Sequence, residues 1–282
     1  MKTILVTGGS TALGKNFIEL YKKKYDIVAP AETDFTVYDE VATLFHDNKF
    51  SAVVHLAEYE DEARSYNLVA FQNLQHACLL QGVPKLIVAT SVADVECPRP
   101  IEDAAEEELG VCVPHSPHAS GAYLTSVLAE KDKITTVLRF FTVYGKYARI
   151  ENNCTAEILS HAVTGKKEIV LDANRQLSVI YDDDACKIIA AFLERDLPQG
   201  TYNIASPTPV ALYDFAKKAK AYAKKNAREL TLTLAKRDDA PCTANTNKLM
   251  RVLGEFKFTA FGTGVNKTLD HYQKHKGQFK RK

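Results

Sequence analysis

Short apolar segments alternate with longer amphipathic segments from the start of the chain. The apolar segments predict strands at 3–6, 26–29, 51–57, 85–90 and 135–140. The amphipathic segments predict helices at about 13–24, 39–47, 62–81 and 121–132. Nearly continuous apolar strands separated by helices are typical of a parallel sheet that is covered on both faces. The first half therefore predicts a doubly wound α/β domain, which we place at residues 1–150.

The pattern changes after Gly145, where helices and strands follow one another at shorter spacing. Helices are predicted at 155–164, 183–194 and 209–225, and strands near 168–171, 177–181 and 229–234. No linker rich in Pro, Gly or Ser separates the two halves. We therefore expect a smaller C-terminal α/β lobe at 165–282 for the substrate, ending in a basic tail. The helices at 155–164 and 183–194 are expected to pack back on the first domain.

Composition excludes several classes of protein. The 282 residues are 46% hydrophobic, and 36 Lys and Arg oppose 35 Asp and Glu, giving a formal net charge of +1. This balance provides no global attraction for nucleic acid or for an anionic membrane. No apolar run reaches the roughly 18 residues that a membrane span needs, and Met1-Lys2-Thr3 leads directly into a strand pattern. We expect a cytoplasmic protein that binds neither nucleic acid nor membrane.

The cysteines give no metal or disulfide signature. The chain contains six of them, at positions 78, 97, 112, 154, 186 and 242. None forms a CxxC pair, and no His stands at zinc-site spacing. The sequence predicts reduced thiols and no bound metal.

The segment directly after the first strand is the strongest chemical signal in the chain. Its candidate cofactor-binding residues are Gly8, Gly9, Ser10, Thr11, Ala12, Leu13 and Gly14. A glycine-rich turn between a strand and a helix presents backbone N–H groups and a helix N-terminus to a pyrophosphate. Thr11 stands where a glycine normally allows the backbone to approach the phosphates. Its hydroxyl is expected to be able to donate to a phosphate oxygen.

This loop resembles the TGxxGxxG loop of extended short-chain dehydrogenase/reductases. That group includes the NAD-dependent epimerases, dehydratases and 4-keto reductases of nucleotide-activated sugars. The resemblance implies a Rossmann fold, a nucleotide-sugar substrate, a homodimer and a cofactor that is NAD, with NADP possible. The end of the second strand offers Glu32 for a ribose diol and no Arg for a 2′-phosphate, which favours NAD.

The resemblance assigns more residues to the cofactor. Beyond the loop they are Asp34, Phe35, Leu56, Ala57, Glu58, Asn67 and Phe141. Asp34 and Phe35 would hold the adenine, and Phe141 would lie near the nicotinamide. Asn67 would fix the backbone of its helix near the active site. The order and spacing of these matches along the chain carry the resemblance.

The catalytic set of the family matches only in part. The family uses a Tyr as acid/base, a Lys four residues later that lowers the pKa of this Tyr, and a Ser or Thr on a strand end. Ser91, with Thr90 beside it, matches the strand end. Tyr123 fits the tyrosine, but Val127 stands where the lysine belongs. A second departure is Val95, where the family often has a tyrosine against the substrate.

Another register places His118 at the tyrosine position, and Ala122 then stands at the lysine position. Lys131 is about 12 Å further along the helix from Tyr123, which is too far for the same part. Three interpretations stay open. Tyr123 is made acidic in another way, for example by the positive charge of the nicotinamide; His118 replaces it; or the chain is a cofactor-binding relative without chemistry.

Candidate substrate-binding residues lie further along the chain. By resemblance they are Thr142 after the fifth strand, Arg175, and Arg237 near the end of the second lobe. A guanidinium group suits a diphosphate because its planar fork bonds two oxygens at once. The predicted function is hydride transfer on a nucleotide sugar by an epimerase or 4-keto reductase. The alternative is a catalytically impaired protein that binds NAD(P) or a nucleotide as a regulatory or assembly module.

Overall fold

The computed structural model describes residues 1–58, 66–96, 99–114, 116–235 and 238–279. Its strands are β1 (Thr3–Thr7), β2 (Asp26–Val28), β3 (Ala52–His55), β4 (Leu86–Ser91), β5 (Ile101–Ala104), β6 (Thr135–Phe140), β7 (Thr142–Tyr144), β8 (Glu168–Leu171), β9 (Gln176–Leu177), β10 (Val179–Tyr181), β11 (Gly200–Ile204), β12 (Val210–Ala211), β13 (Thr231–Leu234) and β14 (Cys242–Ala244). Its helices are α1 (Ala12–Tyr21), α2 (Tyr38–Asp47), α3 (Tyr66–Gln81), α4 (Pro117–Ala129), α5 (Cys154–Thr164), α6 (Asp182–Glu194), α7 (Leu212–Lys225), α8 (Asn247–Leu253) and α9 (Phe261–Lys274).

The largest sheet has six parallel strands in the order β2-β1-β3-β4-β6-β11. The chain moves outward from β1 to β2 and then returns across β1 to form β3. This reversal creates a switch point between β1 and β3, where open α/β sheets form their binding crevice. The predicted doubly wound α/β fold is confirmed.

Helices cover both faces of this sheet because strand residues alternate in direction. Ile4 and Val6 join the apolar cluster that includes residues of α1, α6 and α8. Leu5, between them, joins the opposite cluster with residues of α2 and α3. The near-continuous apolar strands of the sequence are therefore buried on two sides.

A second apolar cluster holds the smaller lobe together. It joins α5, α7 and α9 with the strand pair β8–β13, and its buried residues include Leu159, Phe215 and Leu269. Helix α6 packs on the main sheet, whereas α5, which was expected to pack there too, packs against α7 and α9. Strand β11 was not predicted; its residues fall in the range of the smaller lobe, but it pairs with β6 at the edge of the main sheet.

Short strands complete the lobe. A small sheet has the order β12-β9-β14-β5, and β7 pairs with β10. The sequence pattern did not predict β5, β7 or β14, because strands of three or four residues leave almost no periodicity. Within the described ranges, no helix combines the length and apolarity that a membrane crossing needs.

The cysteines differ in one respect from the expectation of reduced thiols. Cys112 is disulfide-bonded, whereas Cys78, Cys154, Cys186 and Cys242 are free. Isolated cysteines in a sequence carry no signal for which loops approach each other in space. Among the described residues, no three His, Cys, Asp or Glu side chains form a group that could hold a metal ion.

Candidate active site

A cleft of about 790 Å³ opens at the carboxyl ends of β1, β3, β4 and β6. Its size falls in the range of small-molecule and cofactor sites. The loops that follow these four strands form its floor, and α4 and the segment 145–153 form its walls. The cleft thus lies at the switch point that the sheet topology defines.

The structure brings many of the predicted residues together at this cleft. Those that line it are Ser10, Thr11, Ala12, Leu13, Leu56, Ala57, Glu58, Asn67, Thr90, Ser91 and Phe141. Those that lie outside its lining are Gly8, Gly9, Gly14, Asp34, Phe35, Tyr123, Thr142 and Arg175. Arg237 lies outside the described residues.

Two glycines of the loop allow very close backbone approaches. Gly14 lies against the loop itself, and a β-carbon there would stand 2.1 Å from the Gly8 carbonyl oxygen. Gly8 has a φ of +69°, and a β-carbon there would stand 2.4 Å from the Ala57 nitrogen. No other residue type fits these contacts. The two glycines hold the loop against the strand-end segment 56–57 and bring the N-terminus of α1 to the cleft.

Thr11 closes the loop with its side chain. It is the N-cap of α1, and its Oγ1 accepts from Gly14 N at 3.1 Å. The same hydroxyl donates to the Gly8 carbonyl oxygen at 2.8 Å. Its proton is therefore used within the loop, contrary to the expectation that it is available to a phosphate. Thr11 stiffens the turn that the missing glycine would have left free.

The predicted adenine pair forms a structural turn. The Phe35 side chain is buried in the core with Val41 and Phe71. Asp34 is exposed, and its Oδ1 accepts from the Thr36 amide at 2.9 Å and from the Thr36 hydroxyl at 2.7 Å. Neither side chain lines the cleft, so an adenine contact by this pair stays a prediction.

His55 is a cleft residue that the sequence analysis missed. It ends β3 and lines the cleft, although its side chain is only 4% exposed. Burial lowers the pKa of His55 to about 4, so the imidazole is neutral near pH 7. Its Nδ1 shares a 2.7 Å hydrogen bond with Thr7 Oγ1, which in turn accepts from Ala57 N at 3.2 Å. The sequence contained one signal for it, because His55 is a polar residue at the end of an apolar strand.

The end of β4 presents two hydroxyl groups to the cleft. Ser91 Oγ accepts from Ala93 N at 3.3 Å and caps the short turn 92–95. Thr90 Oγ1 lies 3.3 Å from Asp94 Oδ2 and donates to it. Both predicted strand-end residues are thus in place beside the cleft.

Helix α4 turns a different face to the cleft from the one that carries Tyr123. Ala122 and Thr125 line the cleft, whereas Tyr123 and Val127 do not. The Tyr123 hydroxyl instead lies near Gly110, since a β-carbon on that glycine would stand 3.9 Å from it. Ala122, the lysine position of the alternative register, thus lies at the cleft, and the His118 side chain lies outside the described residues. At this position of α4 the cleft is lined by the methyl group of Ala122 and not by a lysine.

A buried ion pair lies behind the hydroxyls of β4. Asp94 and Arg139 are both fully buried, and Asp94 Oδ1 lies 2.5 Å from Arg139 Nε. Arg139 Nη1 also donates to Asn203 Oδ1 at 3.0 Å. Burial raises the pKa of the Asp94 carboxyl, and Arg139 offsets part of this rise. The sequence analysis missed this pair, because its members are 45 positions apart and each is a lone polar residue in an apolar segment.

Of the predicted substrate residues, two lie elsewhere. Arg175 Nε and Nη2 donate to Asp239 Oδ2, at 3.0 and 2.5 Å, and this pair is about 40% exposed. Thr142 pairs with Val179 in the β7–β10 ladder. The arginine that lines the cleft is Arg149, in the segment between β7 and α5. The sequence analysis missed Arg149, because this residue lies in none of the family motifs.

Asp182, like Glu58, brings a carboxyl group to the lining of the cleft. Burial, with Asp183 beside it, raises the pKa of Asp182 to about 7. Its Oδ2 accepts from Lys146 N at 2.9 Å and its Oδ1 from Asp183 N at 2.8 Å. Gly145 is required here, because a β-carbon would stand 2.0 Å from Asp182 Cγ. These contacts tie the wall segment that carries Arg149 to the N-terminus of α6.

The parallel sheet, the glycine loop and the switch-point cleft define a doubly wound α/β protein with a Rossmann-type site. Residues 4–205 match the NAD dependent epimerase/dehydratase family, and the chain belongs to that family. This span includes all the lining residues of the cleft that are discussed above. Membership is consistent with the resemblance that the loop and strand-end motifs carry.

Three known proteins illustrate the range of the similarity. Protein CapI of Staphylococcus aureus is 23% identical over 276 residues, which cover 83% of this chain and 79% of CapI. The structure of a GDP-L-fucose synthetase from Naegleria fowleri superposes with a TM-score of 0.86 at 18% identity, over 100% of this chain and 95% of that one. The NAD complex of dTDP-glucose 4,6-dehydratase from Bacillus anthracis superposes with a TM-score of 0.84 at 17% identity, over 98% of both chains. At these identities the two structures show a shared fold.

Proposed function

We propose that the protein binds NAD or NADP and performs hydride transfer on a nucleotide-activated sugar. The observation that carries this proposal is the cleft itself, in which the loop after β1 and the hydroxyls of Thr90 and Ser91 face one space. Family membership and the nucleotide-sugar enzymes among the structural neighbours support the same chemistry. Epimerisation and reduction at a ring carbon both need these parts.

The loop half of the cleft fits a dinucleotide. Its residues Ser10 to Leu13 and Leu56 to Glu58 line the cleft, and the N-terminus of α1 opens between them. Backbone N–H groups at such an end bind a pyrophosphate well. When bound, the nicotinamide accepts or donates the hydride. NAD is favoured over NADP by Glu32, which is exposed after β2.

Arg149 is the residue that we assign to the diphosphate of the substrate. It lines the cleft together with Asn152 and Asn153 of the same segment. Arg175 is committed to Asp239 and lies outside the lining, so it is a weaker candidate than the sequence suggested. A guanidinium group in the lining of the cleft would bind the diphosphate and so orient a nucleotide sugar.

The test of this function uses purified protein with NAD+ or NADP+ and a panel of UDP-glucose, dTDP-glucose and GDP-mannose. Cofactor binding is measured by calorimetry, and turnover is followed by absorbance at the nicotinamide band and by chromatography of the sugar products. Binding of one dinucleotide per chain with conversion of one of the sugars is the expected outcome. Absence of dinucleotide binding would refute the proposal.

A second candidate function is a regulatory or assembly module that binds the dinucleotide without chemistry. The observation that favours it is the α4 wall, where Ala122 and Thr125 line the cleft and Tyr123 does not. Tight cofactor binding with no conversion of any sugar in the panel would favour this candidate. Conversion that depends on Ser91 would exclude it.

We also propose a homodimer through α3 and α4 and a cytoplasmic location. The support for the dimer is that both helices expose apolar side chains, namely Tyr66, Val69 and Leu80 on α3 and Leu124 on α4. Contiguous exposed apolar residues mark contact surfaces. Sedimentation equilibrium should give twice the mass of the 31.3 kDa chain.

A further inference from the structure

Among the described residues, neither a tyrosine nor a lysine lines the cleft, so its proton transfer needs another route. Thr90 lines the cleft, and behind it lies a carboxylate that faces away from solvent. We propose that Thr90 and Asp94 form a proton relay that replaces the tyrosine and lysine of the family. This inference rests on the proposed function, because it assigns the proton that accompanies hydride transfer.

The geometry gives the relay its direction. Thr90 Oγ1 donates to Asp94 Oδ2 at 3.3 Å, so its own proton points to the carboxylate and its lone pairs are left for a group bound in the cleft. A hydroxyl in this orientation accepts the proton of a substrate alcohol. The contact is longer than an ideal O–H···O bond, and catalytic contacts commonly tighten when the substrate binds.

The transfer balances as follows. With an oxidised nicotinamide bound, the sugar carbon would give its hydride to that ring, and its C–OH group would become a C=O group. The proton of the sugar hydroxyl passes to Thr90 Oγ1 while the Thr90 proton passes to Asp94 Oδ2. Asp94 ends as a neutral carboxylic acid, and the reduction of a ketone runs through the same steps in reverse.

The environment of Asp94 suits a group that alternates between two protonation states. Burial favours the neutral acid, and the contact with Arg139 favours the carboxylate. The groups that face the Asp94 carboxyl are Thr90 of β4, Ser126 of α4 and Arg139 of β6. Each protonation state of Asp94 is thus favoured by one feature of its surroundings, which is the setting in which a buried carboxyl can accept and return a proton.

Ser126 provides a matched control. It donates to the same oxygen, Asp94 Oδ2, at 2.7 Å, but it is fully buried and does not line the cleft. A purely structural role of Asp94 predicts the larger loss of activity for Ser126→Ala, which removes the shorter hydrogen bond. The relay predicts the opposite order.

The experiment compares Thr90→Val, Thr90→Ser and Ser126→Ala by turnover of UDP-glucose, dTDP-glucose or GDP-mannose, by NAD+ binding and by Tm. The relay predicts that Thr90→Val lowers kcat about a hundredfold or more, that Thr90→Ser restores most of it, and that Ser126→Ala lowers it less than about threefold. NAD+ binding stays unchanged in all three variants. The Tm falls most for Ser126→Ala, because the hydrogen bond from Ser126 to Asp94 is shorter than the one from Thr90.

Asp94→Asn tests the acceptor directly and should lower kcat as much as Thr90→Val. Because it leaves the buried Arg139 without a counter-charge, the double variant Asp94→Asn/Arg139→Gln serves where the single one does not fold. Activity within tenfold of the wild type in either variant, or a larger kcat loss for Ser126→Ala than for Thr90→Val, would overturn the relay alone. A wild type that binds NAD+ and converts none of the sugars would overturn the proposed function, and the relay with it.

Discussion

The two halves of the cleft differ in how closely they follow the pattern of the family. The loop half, made of residues 7–14 and 55–58, keeps the glycines that shape a dinucleotide site. The helix half is made of Thr90, Ser91, Ala122, Thr125 and the segment 145–153, and no tyrosine or lysine is among the described residues that line it. Binding a cofactor and transferring a proton are thus separate properties of this fold, and one can change while the other is kept.

The largest expected effect comes from breaking the loop half at Gly14. Gly14→Ala places a β-carbon 2.1 Å from the Gly8 carbonyl oxygen, which is backbone and cannot turn away. We expect NAD+ affinity measured by calorimetry to fall about a hundredfold, although alanine is the better helix former. Gly9→Ala is the control, because its β-carbon meets the Ile18 and Ala29 side chains at 3.0 and 3.2 Å. Equal losses in both variants would contradict this reading of the loop.

The buried His55 makes the stability of the loop half depend on pH, and this dependence can be measured. Burial lowers the pKa of His55 from 6.5 to about 4, so the folded protein binds this proton more weakly than the unfolded chain does. The stability that depends on the neutral imidazole is complete above pH 6.5 and is lost as the pH falls toward 4, by about 3 kcal/mol in all.

Urea unfolding of the wild type and of His55→Gln between pH 7 and pH 4.5 measures this contribution as a difference. The carboxyl of Asp182, whose pKa is raised to about 7, acts in the opposite direction, since its contribution is lost as the pH rises. That contribution is common to both proteins and cancels. Parallel pH profiles for the two proteins would show that His55 is not the responsible group.

Arg149 tests the substrate side of the helix half. Arg149→Ala should weaken binding of UDP, GDP or dTDP at least about tenfold, because a charge-assisted hydrogen bond contributes about 1.5 kcal/mol or more. Calorimetry with NAD+ already bound measures this. Arg175→Ala, which removes an exposed pair with Asp239, is the control and should change affinity less than about twofold. A larger loss of affinity for Arg175→Ala than for Arg149→Ala would mean that Arg175 binds the diphosphate.

The smallest expected effect is at Tyr123. Its side chain lies outside the cleft lining, so Tyr123→Phe should leave kcat within about twofold of the wild type. Ser91→Ala, which removes a hydroxyl from the cleft, is the comparison and should lower kcat strongly. A large loss in Tyr123→Phe would mean that α4 rotates or shifts when the substrate binds.

Much of the fold was predictable because its signals are local. The alternation of apolar strands with amphipathic helices predicted five of the six strands of the main sheet, and the loop predicted the position of the cleft. The sixth strand, β11, was not predicted as a strand, and its residues do not reveal that β6 is its partner. Helix α5 was assigned to the wrong core for the same reason.

The orientation of α4 shows most clearly where local signals end. The helix is apolar or small on nearly every side, from Ala119 to Ala129, so its pattern does not define a buried face. Two registers of the catalytic motif were therefore compatible with the sequence. Packing against the turn 92–95 decides that Ala122 and Thr125 meet the cleft.

By itself, the sequence determined the parallel sheet, the glycine loop and the hydroxyls at the end of β4, since each depends on residues close together in the chain. Only the tertiary structure decided which face of α4 meets the cleft, that Arg175 is held by Asp239, and that Asp94 meets Arg139 behind Thr90. These are contacts between distant segments, and their free energy depends on burial and on the partner that packing supplies. The capacity for a dinucleotide is thus readable in the chain, whereas the route of the proton is decided by the fold.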